Sequence, residues 1–94
     1  MKMRREEVGT SLIKGENDFL CRYCIIESGQ DMYGIEIEKT EGNKVTEACR
    51  IGDVCRVKGQ AYEIAKMLMR NTVTPITLHD ILYDIVASDQ FCLM

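Results

Sequence analysis

The sequence predicts an α+β domain: an antiparallel β-meander of about four strands, covered on one face by two C-terminal α-helices. Three observations carry this. From Val8 to about Val57 the apolar residues fall in short runs rich in Ile, Val, Tyr and Cys, separated by polar Gly and Asn clusters, which is the punctuation of strands and turns. From about Lys58 the apolar spacing changes to that of a helix. The chain has 94 residues, 46% hydrophobic and 29% charged, which suits one folded domain over residues 1–94 and is too apolar for disorder.

The elements follow in order. Residues 1–7 read as a frayed, solvated end in which Lys2, Arg4 and Arg5 are offset by Glu6 and Glu7. Residues 8–57 form the sheet region. A first strand, VGTSLIK, occupies residues 8–14 ahead of the turn GEND. FLCRYCIIE, residues 19–27, is apolar on both parities and therefore predicts a central strand. In MYGIEIEK, residues 32–39, Tyr33, Ile35 and Ile37 alternate with Glu36 and Glu38, so one face is expected to pack and the other to meet water. ESGQD and EGN supply the Gly and Asn that tight connections need. The fourth strand runs from about Lys44 to Cys55, with Gly52-Asp53 marking a candidate bulge.

Residues 58–87 read as a helical pair and 88–94 as a tail. Ala61, Ile64, Ala65 and Leu68 recur at i, i+3, i+4, i+7 and define helix one, whose start is placed near Lys58. Leu78, Ile81, Leu82, Ile85 and Val86 define helix two. The stretch NTVTPITLHD between them has the residues of a helix corner. Thr74 can accept from a first-turn N–H, Pro75 suits the first helical position, and Val73 can staple to Leu78, with Thr77 as a competing cap.

Composition excludes several function classes. The formal charge of −3 and the absence of Lys or Arg from residue 71 onward, where Asp80 and Asp84 would face phosphates, speak against nucleic acid. The glycines are dispersed and form no phosphate loop. No apolar run spans a bilayer and the start has no signal-peptide core, so no membrane association and a cytoplasmic location are expected. Cys92, third from the end, misses the prenylation position.

Two chemical candidates stand against bland readings. His79, the single histidine, has only Asp80 beside it, about 100° away around the helix, so it reads as a surface residue of the first helical turn and not as a general base. Cys21 and Cys24 have C-x-x-C spacing, and Cys49 and Cys55 offer two more metal ligands or reactive thiols. Within a strand, however, positions three apart face opposite sides, and small core-filling thiols are the simpler reading. No enzyme activity and no cofactor are expected.

The positive signal is surplus apolar surface. Tyr62, Met67 and Met69 widen the apolar arc of helix one beyond its core stripe. Either helix two covers the surplus, or a protein partner or a second copy does, as in a homodimer. A non-catalytic protein-interaction or regulatory module is therefore the favoured function, with the four-cysteine metal or thiol site as the alternative. The strand MYGIEIEK and the phrase RNTVTPITLHDILYDIV, residues 70–86, resemble a group of small uncharacterised proteins of Clostridia-like Firmicutes, the DUF6514 type, over roughly residues 20–87. Those proteins carry a similar Tyr-Gly-Ile strand and Thr-Pro-Leu-Asp-Val ending. The resemblance implies a bacterial cytoplasmic setting and a shared structural corner at 71–80; it brings no activity, cofactor or site residue.

Overall fold

The computed structural model describes residues 4–27 and 31–87, with side chains as far as Tyr83 in the last helix. Its strands are β1 (Arg4–Ile13), β2 (Phe19–Glu27), β3 (Tyr33–Glu41) and β4 (Lys44–Cys55), followed by α1 (Lys58–Arg70), a 3-10 turn (Pro75–Thr77) and α2 (Leu78–Ala87). The sheet order is β1-β2-β3-β4 and every neighbouring pair is antiparallel, so the predicted meander and its two covering helices are what forms. The doubly apolar β2 lies inside the sheet, as its composition requires.

The core lies between one sheet face and the helices. Cys21, Tyr23 and Ile25 of β2 and Ile35 and Ile37 of β3 join Ala61, Ile64, Ala65 and Leu68 of α1 and Leu78 and Leu82 of α2 in one buried cluster. The α1 stripe is the one its spacing predicts. Each large aliphatic side chain so buried contributes about 1.5–3 kcal/mol of transfer free energy. In α2, Leu78 and Leu82 are buried while Ile81 is at the margin of exposure; the side chains of Ile85 and Val86 lie outside the described residues.

β1 begins at Arg4, not at Val8, so the expected frayed end does not extend to residues 4–7. The reason is on the partner strands. The Arg5 guanidinium reaches Glu36 and Glu38, each at 3.2 Å, and the backbone pairs Arg5 with Ile26. Periodicity did not report this because the anchoring is electrostatic.

The bulge expected at Gly52-Asp53 is present and large. Tyr33 opposes Cys55 and Ile35 opposes Ile51, so residues 52–54 stand opposite Gly34 alone. Asp53 takes φ 55°, a left-handed conformation uncommon outside glycine. Gly34 is what admits the bulge: a methyl there would overlap the Ile51 carbonyl oxygen and the Gly52 Cα. Gly9 serves similarly on the helix side, because a methyl would come within 2.6 Å of the Met69 sulfur.

α1 ends in a Schellman motif. The Val73 N–H donates to the Leu68 carbonyl at 3.0 Å and the Thr72 N–H to Met69 at 3.1 Å, while Val73 and Leu68 bury together. Thr72 holds the left-handed position at φ 50°, where a β-branched residue is strained. Thr72→Gly is therefore expected to raise stability by about 0.5–1 kcal/mol, the left-handed strain relieved less the extra chain entropy of glycine. An unchanged or lowered urea midpoint would show that the threonine makes compensating contacts.

The corner forms as predicted in outline and differs in its caps. Pro75 opens the turn, and Val73 and Leu78 share the buried cluster as a staple would place them. Neither threonine hydroxyl caps a helical N–H: Thr74 and Thr77 hydroxyls lie 3.2 Å apart, and the Thr77 N–H donates to the Thr74 carbonyl at 3.2 Å. The tighter 3-10 turn satisfies that donor by backbone, leaving the side chain nothing to cap.

Candidate functional site

The residues that share a face with Arg5, Cys24 and Glu36 make the outer side of the sheet, opposite the helices. Directly opposed residues share a face, so the strand register sorts this surface into rows. Glu7, Cys24, Glu36 and Arg50 form one row across all four strands; Thr10, Arg22, Glu38 and Ala48 form the next; Leu12, Leu20, Thr40 and Val45 form a third. Arg5, Ile26 and Gly34 form a further row at the bulge end, where Ile26 is buried; of the other three rows, two are charged and one is largely apolar.

The charged rows are knitted together. Arg50 donates to the Glu36 carboxylate from Nε at 3.2 Å and from the terminal nitrogen at 2.9 Å. Arg5 approaches the other Glu36 oxygen at 3.2 Å, an ion pair without the alignment of a hydrogen bond. Arg22 bridges Glu7 at 3.2 Å and Glu38 at 3.4 Å. The Glu36 side chain is only 4% exposed, which corrects the expectation that the glutamate face of β3 simply meets water. Burial disfavours charge on Arg5, but Glu36, Cys24 and Glu38 together hold its pKa above the ordinary value. The ladder's exposed pairs are each worth about 0–1 kcal/mol; what they set is an ordered, alternating charge pattern. The apolar row beside it is open: Leu12 is 56% and Val45 49% exposed.

The structure disperses the cysteines. Cys21 and Tyr23 are on the inner face with the core, whereas Cys24 opposes Glu36 on the outer face, as the three-residue spacing requires. Cys55 is buried at the end of β4 and Cys49 is half-buried. Among the described residues no three His, Cys, Asp or Glu side chains gather as a metal site would need. Burial pushes the thiols of Cys21, Cys24 and Cys55 up, so they stay protonated at neutral pH. These three are expected to resist a thiol reagent in the native protein at pH 8 and to react fully in denaturant. Rapid native labelling of Cys24 would refute that. Folding keeps protonated what the unfolded chain would ionise, so this contribution to stability is full below about pH 8.5 and declines as pH rises toward the folded values.

His79 is exposed and lines a shallow cleft of about 210 Å³ with Tyr83, Leu82 and the bulge residues Ile51 to Val54, Asp53 among them. Among the described residues no thiol lines this cleft. A second concavity, of about 320 Å³, lies near the start of α1 between Arg4, Glu27, Tyr33 and Lys58, whose ammonium pairs with Glu6 at 2.9 Å. Of the residues in the apolar arc of α1, Tyr62 is exposed, with Lys66 over its ring at 5.4 Å, while Met67 and Met69 are half-buried against the core. Ser11 further fixes that end of α1 by donating to the Met69 carbonyl at 3.1 Å.

Periodicity places Glu36 and Glu38 on the outer face but does not pair them with Arg5, Arg22 and Arg50. The signal was present as acidic and basic residues inside strand patterns, Arg22 in β2 and Glu36 in β3, but their matching depends on register. No curated protein and no solved structure matches the chain. A family model does match, over residues 5–88, which takes in β1 from its second residue and every later described element. The chain belongs to the family of unknown function DUF6514.

Proposed function

We propose that this protein is a non-catalytic protein-interaction or regulatory module of a bacterial, Clostridia-type cytoplasm, and that its working surface is the outer face of the sheet. One observation carries the reading. Both described helices lie on the inner face, leaving an outer face with half-exposed Leu12 and Val45 beside a fixed charge ladder. An apolar strip rimmed by ordered charges is the anatomy of a protein interface. The arc of Tyr62, Met67 and Met69 contributes less, since two of the three already pack on the core.

Affinity capture from the native host tests this, using the wild-type chain beside Leu12→Lys, a change at a site exposed enough to leave folding intact. A specific partner, another protein or an untagged copy of this chain, should be retained by the wild type and lost by the variant. Equal recovery with both would remove the outer face from the function.

A further inference from the structure

Given the interaction role proposed above, the charge order of that face specifies its partner. We propose that the outer face pairs with a second copy of itself, sheet on sheet, about a two-fold axis running along the strands. Such an axis lays β1 of one copy over β4 of the other and keeps each row on its own counterpart. Glu7 then faces Arg50 of the second copy, Arg22 faces Glu38, Leu12 faces Val45 and Leu20 faces Thr40, an assignment fixed by the strand register. Glu7, Arg22, Glu38 and Arg50 each meet an opposite charge, Glu36 meets the uncharged Cys24, and Leu12, Leu20 and Val45 meet uncharged neighbours.

The alternative two-fold, perpendicular to the strands, keeps each strand over its own copy and reverses the rows. Centred between the two charged rows, it would set Glu38 over Glu36 and Arg50 over Ala48. Opposed carboxylates in a partly dehydrated interface are repulsive, so the pattern selects the first axis. Four strands about 4.8 Å apart and about 30 Å long outline roughly 600 Å² per copy, and Cys24, Ile26 and Glu36 on that face are already buried in the single chain, so the pair buries less than about 1,200 Å² in total and belongs with the small, weak interfaces. Because the face is charge-rich, the dimer should weaken as salt rises.

The experiment uses the purified full chain in sedimentation equilibrium at low and high salt. The wild type should dimerise, with weaker association at 1 M salt. Leu12→Lys alone and Val45→Glu alone should each weaken the dimer at least tenfold, since both sites are exposed in the single copy. Mixing these two variants should restore association, because one of the two Leu12–Val45 contacts becomes a charge pair and the other is native. A wild type that stays monomeric at 100 μM and low salt overturns the proposal, and so does a dimer indifferent to both variants or a mixture that fails to recover. If the chain is monomeric yet capture from the host yields a different protein lost with Leu12→Lys, self-pairing falls while the interaction reading stands; if capture also yields nothing specific, both fall.

Discussion

Gly34→Ala is expected to destabilise the protein by about 3 kcal/mol or more, the upper end of overpacking costs, because the added methyl meets backbone and not a movable side chain. The Ile51 carbonyl and the Gly52 Cα can retreat only if the three-residue bulge opposite Gly34 opens. That bulge presents Val54, buried at 5% exposure, to the core and hands the chain on to Cys55 and α1, so its opening also loosens the first helical turn. Urea unfolding of the variant should show a midpoint lowered in proportion to that loss, with the slope unchanged if the transition remains two-state. A loss under about 1 kcal/mol would mean that the bulge is soft and that Gly34 does not determine it.

Tyr23→Phe should cost about 1–3 kcal/mol, the range for leaving a buried polar group without its partner. The Tyr23 hydroxyl donates to the Val73 carbonyl at 2.8 Å, and both residues belong to the buried cluster. Burial raises the phenol pKa well above its ordinary value, so the proton needed for donation is retained throughout the neutral range. This bond ties β2 to the corner between the helices, some fifty residues away in the chain. Amide exchange of Val73 and Thr72 should therefore accelerate more than exchange within β2. A variant with wild-type stability and unchanged exchange at the corner would show that water replaces the hydroxyl and that packing alone holds the turn.

The parts of this fold that could be read from the chain are those governed by local period. The stripe of Ala61, Ile64, Ala65 and Leu68 is buried as spacing alone requires, because a helix presents such positions to one side whatever it meets. The alternation of Tyr33, Ile35 and Ile37 likewise names the inner face of β3. Pro75 and Val73 mark the corner because a proline and an apolar pair have few other uses between two helices. The opposition of Cys21 and Cys24 across the sheet is also a consequence of the two-residue repeat.

What local pattern could not reveal depends on pairing between distant segments. Arg5 belongs to a strand because Glu36 and Glu38, more than thirty positions later, stand beside it. Glu36 reads as a wet residue by alternation and is nearly enclosed, since arginines from β1 and β4 close over it. Met67 and Met69 read as surplus apolar surface and are half-covered, and Gly9 of β1 leaves the room that the Met69 sulfur fills. Thus this sequence on its own determined the element order, the inner faces and the helical corner, all set by side-chain period and backbone chemistry within a few residues. Only the tertiary structure decided which charges meet, how far β1 extends and what the outer face offers a partner, because Coulomb attraction and steric fit depend on separation in space, which strand register fixes and local composition does not.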